Sequence, residues 1–346
     1  MKKRALITGL TGQDGSYLAE FLLAKNYEVY GLVRRVSTPN YVNIKHLLGD
    51  VTMIEGDLID TGSLMEAVRK SKPDEIYNLG AQSFVGTSWK QEELTEEINS
   101  KGVKRILKAA QLFAPNAKFY QASTSEIFGN SHTNGIQNEQ TPFKPRSPYA
   151  IAKLDAFWTT RNYRESYNMF ACNGILFNHE SERRGIEFVT RKITDAVAKM
   201  YHGKTNILRL GDIESKRDWG HAEDYVEAMW IILQQEKPED FVIATGETHS
   251  VEEFIDKSFE AAGLNYAIAD YSGLEQEEAN RRIEALKKDR LTNYVIIDPK
   301  FFRPAELYEL KGDSTKAKTQ LGWKPKVTFD QLVERMVKSD INLLKK

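Results

Sequence analysis

Three glycines at three-residue spacing, Gly9, Gly12 and Gly15, separate a short apolar run from an amphipathic one. The residues before them, Ala5–Thr8, read as a buried strand. Those after them, Tyr17–Ala24, carry Leu18, Phe21 and Leu22 at helical spacing. A strand that turns into a helix through such a loop has a narrow use. One glycine allows the tight turn, one lets the backbone approach a pyrophosphate, and one lets the helix pack close on the strand. The helix N-terminus behind them favours an anion. An ordinary glycine-rich turn is the plainer alternative, but the strand–helix context favours a dinucleotide cradle built from Gly9, Thr11, Gly12, Gln13, Asp14 and Gly15.

The rest of the first half keeps the same alternation. Strands are expected at Val29–Val33, Met53-Ile54, Ile76–Leu79, Phe119–Ala122 and Cys172–Phe177, with helices near Leu64–Arg69, Val103–Gln111 and Ala150–Tyr167. Short connections between alternating strands and helices imply a parallel sheet covered on both faces. The predicted fold is therefore α/β: a Rossmann-type doubly wound parallel sheet with a smaller, mixed α/β C-terminal substrate lobe. The second half is less regular. Helices are expected over Phe188–Met200, Tyr225–Gln234 and Val251–Ala262, strands near Ile207–Leu210 and Phe241–Ala244, and an exposed charged helix over Leu274–Arg290. The expected division places residues 1–178 in the dinucleotide-binding domain, with 213–245 returning to it. Residues 179–212 and 246–346 then form the substrate lobe.

Composition narrows the class. Forty-eight Lys and Arg oppose 49 Asp and Glu, a formal net charge of −1. Bulk attraction to nucleic acid or to a membrane surface is therefore not expected. The single cysteine, Cys172, excludes an internal disulfide and fits a reducing, cytoplasmic compartment. No apolar run approaches a membrane span, and the run after Lys2-Lys3-Arg4 is too short for a signal peptide. No metal site is expected.

The end of the second strand selects the dinucleotide. A carboxylate there would hold a ribose 2′-hydroxyl. Instead the strand ends in Arg34-Arg35. Arginine forks suit a 2′-phosphate, so NADP is the expected cofactor, with one of the two facing solvent or a neighbouring subunit. Asp57 and Leu58 are placed to flank the adenine. Leu79, Gly80, Ala81, Gln82 and Ser83 would run past the nicotinamide ribose.

Tyr149-Ala150-Ile151-Ala152-Lys153 places a tyrosine and a lysine one turn apart on a helix. Bringing a phenol from about 10 toward neutrality takes roughly 3 units, about 4 kcal/mol, which two nearby cations could supply. The spacing alone is weak, because Tyr41–Lys45 repeats it. Only Tyr149 has a hydroxyl cluster, Ser123-Thr124-Ser125-Glu126, at a strand end upstream. Tyr41–Lys45 is expected to be a surface pair.

Together these residues resemble the short-chain dehydrogenase/reductase superfamily in its nucleotide-sugar-modifying branch. Thr124-Ser125-Glu126 adds a carboxylate that a reductase or epimerase does not need. The chain is most similar to the GDP-mannose 4,6-dehydratase family. The resemblance rests on Ala5–Gly9, Thr11–Ala19, Phe119–Glu126, Pro145–Lys153 and Phe170–Ser181 with Arg183-Arg184-Gly185. It extends through Phe188–Ile193, Arg217–Ala222, Phe301-Phe302-Arg303-Pro304 and Gly312–Pro325. It implies a retained NADP, a GDP-sugar substrate and commonly a homotetramer, with a dimer as the alternative and the Arg34-Arg35 loop at a subunit interface.

The implied catalytic residues are Thr124, Glu126, Tyr149 and Lys153. His179 and Arg184 would lie by the cofactor with Tyr149 and Lys153. Ser83, Phe84, Val85, Thr124, Glu126, Asn178, Arg191, Lys192 and Arg217 would contact the substrate. The implied reaction oxidises C4, removes water across C5 and C6, and returns the hydride to C6. A GDP-keto-sugar reductase or epimerase and a non-catalytic NADP sensor are the competing classes. Several positions depart from the family pattern: Phe84, Gly86, Leu94, Glu182, Asp212 and the 274–290 segment. Those at Phe84–Gly86 lie near the sugar end, so GDP-D-mannose is the substrate that the overall resemblance implies and GDP-D-glycero-α-D-manno-heptose is its alternative. Trp219 and Trp323 are expected to be packing residues.

Overall fold

The structure is a computed structural model that describes residues 2–132, 135–289, 291–302 and 307–345. Arg303, Pro304 and Arg290, named above, lie outside the described residues.

The first half alternates as the sequence predicts. Strands β1 (Arg4–Thr8), β2 (Glu28–Val33), β3 (Val51–Glu55), β4 (Glu75–Asn78), β5 (Lys118–Thr124) and β6 (Ala171–Leu176) are interleaved with helices. These are α1 (Gln13–Ala24), α2 (Thr61–Ser71), α3 (Val85–Ser88), α4 (Glu92–Glu96), α5 (Gly102–Phe113) and α6 (Pro148–Tyr167). Then come β7 (Asn178–Glu180), α7 (Val189–Tyr201), β8 (Ile207–Leu210), β9 (Lys216–Arg217), β10 (Trp219–His221), α8 (Ala222–Gln234), β11 (Phe241–Ile243) and β12 (His249–Ser250). The chain ends with α9 (Val251–Ala262), β13 (Ala267–Asp270), α10 (Gln276–Leu286), β14 (Tyr294–Ile297), β15 (Glu309–Leu310) and α11 (Phe329–Leu343).

Seven strands form one sheet in the order β11-β6-β5-β4-β1-β2-β3, and every pairing is parallel. The strand order reverses between β1 and β4, which opens a crevice beyond their carboxyl ends. Both faces are covered. On one, Leu18 and Leu22 of α1 pack with Ala222, Tyr225 and Met229 of α8. On the other, Leu64 and Val68 of α2 meet Ile106 and Leu107 of α5 and Ala156 of α6. Some helices start where polar caps satisfy their free N–H groups. Ser147 caps α6 ahead of Pro148, and Ser250 with Glu253 forms a capping box on α9.

A second core holds α7, α9 and α11 together through Ile193, Val197, Phe254, Ile255, Leu332 and Met336. Beside it β13, β14 and β8 form a small parallel sheet. Trp323 is buried in the first core and Trp219 in the second, as packing residues should be.

Some expectations needed adjustment. The helix expected from Tyr225 starts at Ala222, because Glu223 and Asp224 suit a helix N-terminus but carry no apolar signal. The 274–290 helix is shorter, Gln276–Leu286, with Ala279 and Ile283 buried, and it links two parallel strands. Tyr41 is partly buried against the first core rather than lying on the surface. It shares no helix with exposed Lys45, which begins a short 3-10 turn. Cys172 is a buried strand residue whose thiol burial pushes up to about 12.

Candidate active site

The crevice at the switch point opens a cavity of about 360 Å³ lined by Thr8, the Gly9–Gly15 turn, Leu79–Ala81 and the ends of β2 and β3. Two glycines here are dictated by space. Gly9 has φ of +73° and lies so close to Gly80 that a Cβ would approach its Cα to 2.9 Å. A Cβ on Gly15 would lie 2.2 Å from the Gly9 carbonyl oxygen, so only glycine lets α1 sit this close to β1. Gly12 caps α1 without any side-chain hydrogen bond, leaving the helix start to an outside acceptor.

Most of the predicted dinucleotide residues line this cavity: Gly9, Thr11, Gly12, Gln13, Asp14, Gly15, Arg34, Asp57, Leu58, Leu79, Gly80, Ala81, Ser83 and Arg184. Two do not. Arg35 points away, 76% exposed and 4.0 Å from Glu55. Gln82 instead holds its loop: its backbone pairs both ways with the Asn99 side chain, and its amide donates to the Phe84 carbonyl. Leu32, Val33, Gly56 and Ile98 also line the cavity and escaped the sequence reading. Ile98 follows α4 in a π-turn (97–101) that runs into α5. That stretch is charged, with no apolar period to mark it. Leu94, one turn earlier, is exposed on α4.

A second cavity, about 300 Å³, adjoins the first, and Asp14, Leu79, Ala81, Ser83 and Arg184 line both. It gathers Thr124, Glu126, Tyr149 and Lys153, and also Ser83, Phe84, Val85, Asn178, His179, Lys192 and Arg217. Thr124 ends β5, and its hydroxyl accepts from the Glu126 amide at 3.3 Å, fixing the turn that carries the carboxylate. The Thr124 hydroxyl also acts on Tyr149, favouring its phenolate. Ser147 and Pro148 start α6 so that Tyr149 and Lys153 fall on its buried face. Lys153 Nζ donates to the Ala122 carbonyl at 2.9 Å and lies 5.9 Å from the Tyr149 ring centroid.

The charges pull against one another. Burial lowers Lys153 to about 8, with Asp14 drawing it partly back. Burial raises the Tyr149 phenol, and Glu126 raises it further. The Thr124 hydroxyl and Arg184 oppose them without prevailing. His179 faces the Phe177 carbonyl with Nδ1 and Asp14 Oδ2 with Nε2, each at 2.8 Å. Both partners only accept, so the ring carries both protons. Burial raises Asp14, but His179 overrides it and holds the carboxyl down to about 2. Arg184 pairs with buried Glu180 at 2.9 Å and packs over the Phe188 ring at 3.6 Å.

Lys192 lies 3.6 Å from the centroid of the Phe301 ring, and burial lowers it to about 8. Arg217 is buried in the wall and donates to the Lys216 carbonyl at 2.8 Å. Arg191 is not brought into either cavity. It pairs with buried Asp340 at 2.6 Å and donates to the Glu182 and Arg184 carbonyls. Adjacent residues of α7 thus divide the work: Lys192 turns to the cavity and Arg191 to α11.

Comparison with known proteins decides the family. The family model for GDP-mannose 4,6 dehydratase matches residues 6–336. The GDP-mannose 4,6 dehydratases of Drosophila melanogaster and Homo sapiens are each 51% identical over 99% of this chain, covering 87% and 92% of their own lengths. That of Vibrio cholerae is 48% identical over 99% of this chain and 95% of its own.

The chain belongs to the GDP-mannose 4,6-dehydratase family.

Solved structures agree on the fold. The Thermus thermophilus UDP-glucose 4-epimerase in complex with NAD superposes with a TM-score of 0.80 at 25% identity, covering 97% of this chain and 98% of that one. A dTDP-glucose 4,6-dehydratase from Bacillus anthracis gives 0.78 at 21%, covering 97% and 96%.

Within this family, the departures noted in the sequence acquire partners. Glu182 accepts from the Tyr17 hydroxyl at 2.9 Å, beside buried His221. Asp212 lines the second cavity and accepts from the Glu214 amide and the Ser215 hydroxyl. Phe188, Phe301, Asp212 and Ser215 are wall residues that the sequence reading did not assign to the site. For the last two, their position just past the Ile207–Leu210 strand end was the available signal. Phe301 stood in a motif of the family resemblance, but nothing in its spacing placed it here, since it reaches the cavity from a distant turn after β14.

Proposed function

We propose that this chain converts GDP-D-mannose to GDP-4-keto-6-deoxy-D-mannose with loss of water. The observation that carries the reading is the joining of Glu126 to the Thr124–Tyr149 pair in one cavity. The relatives named above are named for GDP-mannose, so the manno-heptose alternative is not favoured.

The first cavity fits a dinucleotide: the glycine cradle has no room for side chains at Gly9 and Gly15, and the start of α1 has no cap of its own. In our reading Gly9 and Thr11–Gly15 take the pyrophosphate, Asp57 and Leu58 the adenine, and Leu79–Ala81 the nicotinamide ribose. Arg34 at the rim supports NADP over NAD through its fit to a 2′-phosphate. When bound, the cofactor supplies an acceptor for one hydride at C4 and its donor at C6.

The chain's residues move the protons. Tyr149 takes the C4 hydroxyl proton while Thr124 donates to the developing carbonyl oxygen. Because the protein alone, Lys153 included, raises the phenol, the further cationic charge needed to lower it would come from the bound cofactor. The new ketone acidifies C5. Glu126 removes that proton and returns one to the C6 hydroxyl, which leaves as water; C5 takes up a proton as C6 is reduced, which balances the one Tyr149 removed from the C4 hydroxyl. C4 loses two electrons and C6 gains two, so no outside oxidant is needed. Lys192 and Arg217 are assigned to the diphosphate, with Asn178 beside them. Arg191 is assigned instead to holding α7 against α11.

This reading includes the division into two lobes, supported by β11 completing the large sheet and by the separate core of α7, α9 and α11. It includes a homotetramer with the Arg34-Arg35 loop at an interface, supported by the exposure of Arg35. The lone buried thiol supports a cytoplasmic setting. Among the described residues no helix is long and apolar enough to cross a membrane.

The test is isotopic. GDP-mannose carrying deuterium at C4 should yield product carrying it at C6, without added cofactor. Deuterium released to solvent or left in free reduced dinucleotide would overturn the internal redox cycle.

A further inference from the structure

Two aromatic rings meet across the rim of the second cavity. Phe84 follows the end of β4, and Phe188 immediately precedes α7, so one comes from the large sheet and the other from the second core. Their centroids lie 5.6 Å apart at 82°, an edge-to-face contact. Both rings are half-buried and line the cavity, so each faces its interior and solvent at once.

The pair is held from both sides. Gly86 lies against Phe84, where a Cβ would come within 3.1 Å of the ring. Buried Asn99 accepts from the Gln82 amide and donates to the Gln82 carbonyl, each at 2.8 Å, and the Gln82 side chain donates to the Phe84 carbonyl at 3.0 Å. On the other side the Arg184 guanidinium stacks on Phe188 at 3.6 Å, and Arg184 lines both cavities. The rings therefore bridge two parts of the chain and connect to Arg184, a cation shared by the two cavities.

Resting on the dehydratase reading, we infer that Phe84 and Phe188 form a positioning clasp. It seals the reaction chamber, so the keto intermediate cannot leave before the hydride is returned. The chemistry requires such a seal. An intermediate that escapes after C4 oxidation takes away the carbon that must be reduced, and strands two electrons on the cofactor. Edge-to-face rings suit the task because they are apolar, exclude water and part without breaking a hydrogen bond.

The test uses the full chain with its bound dinucleotide and GDP-mannose. Reduced dinucleotide is followed by absorbance and dehydrated product by mass. Wild type should turn over many times with no build-up of reduced cofactor. Phe84→Ala should raise reduced dinucleotide per product about tenfold, as expected for losing one aromatic contact. Phe84→Leu, which keeps apolar bulk, should lie between them. The Phe84→Ala/Phe188→Ala double variant should be within about twofold of the worse single variant, since partners in one contact do not add.

An unchanged ratio in Phe84→Ala would overturn the clasp, because a merely structural ring would lower both quantities together. If that variant does not fold, Phe84→Leu and Phe188→Leu carry the same ratio test. A second readout needs no turnover: the clasp predicts faster release of bound GDP-mannose from the Ala and Leu variants, measured in a Tyr149→Phe background. Wild type that makes no dehydrated sugar would count against the assigned reaction, and the clasp would then stand or fall on that release rate.

Discussion

Glu126 opposes the ionisation of Tyr149: its negative charge adds to burial in raising the phenol above its ordinary range. The residue assigned to dehydration thus works against the residue assigned to oxidation. Replacing Glu126 with Gln should uncouple the two. The Tyr149 pKa should fall, moving the rising limb of C4 oxidation to lower pH. Dehydration should drop by roughly a hundredfold or more, the usual scale for a general acid–base. Rapid-quench measurement of reduced dinucleotide and of dehydrated product checks both. Dehydration at the wild-type rate would remove Glu126 from that step.

The Asp14–His179 pair predicts a pH window. Asp14 is held at about 2, below its ordinary 3.8, so its contribution is full above 3.8 and lost as pH falls through 2. His179 is raised above its ordinary 6.5: burial lowers it, but Asp14 prevails. Its contribution is full below 6.5 and lost as pH rises through the raised value. The pair should stabilise most between the two ordinary values. Asp14→Asn should cost about 2 kcal/mol or less there. Thermal melts of the dinucleotide-free protein across pH should show the Tm gap to wild type narrowing on both sides.

Arg34 and Arg35 should separate by their effect on cofactor choice. Arg34 lines the first cavity, whereas Arg35 is largely in solvent. Arg34→Ala should weaken NADP binding by about 10- to 100-fold, the scale of a hydrogen bond to a charged group, and leave NAD nearly unchanged. Arg35→Ala should change neither by much in an isolated subunit. Titration calorimetry with both cofactors decides it. Equal losses for NAD and NADP in Arg34→Ala would argue against a 2′-phosphate contact.

Arg191 and Lys192 are neighbours with different expected losses. Arg191→Ala leaves Asp340 buried without its ion pair, which should cost about 3–5 kcal/mol of stability. Lys192→Ala should leave the melting temperature nearly unchanged and raise KM for the GDP-sugar about tenfold or more. Denaturant melts and steady-state kinetics on the two variants would expose a reversed assignment.

The sequence by itself determined the parallel α/β sheet and the glycine cradle, and put Thr124, Glu126, Tyr149 and Lys153 in one site. These features are local. A strand, a turn and a helix are written in neighbouring residues, and Tyr149 and Lys153 share a helix face because they are four residues apart. The tertiary structure decided what depends on distant partners. A guanidinium looks the same in sequence whether it meets a phosphate or a carboxylate, so only the position of Asp340, 149 residues away, turned Arg191 from the site. Phe301 entered the wall, and Phe84 met Phe188, for the same reason: contacts between separate elements are set by how helices and sheets pack. The acidity of Tyr149 likewise depends on burial and on charges from other elements, which no spacing within its own helix encodes.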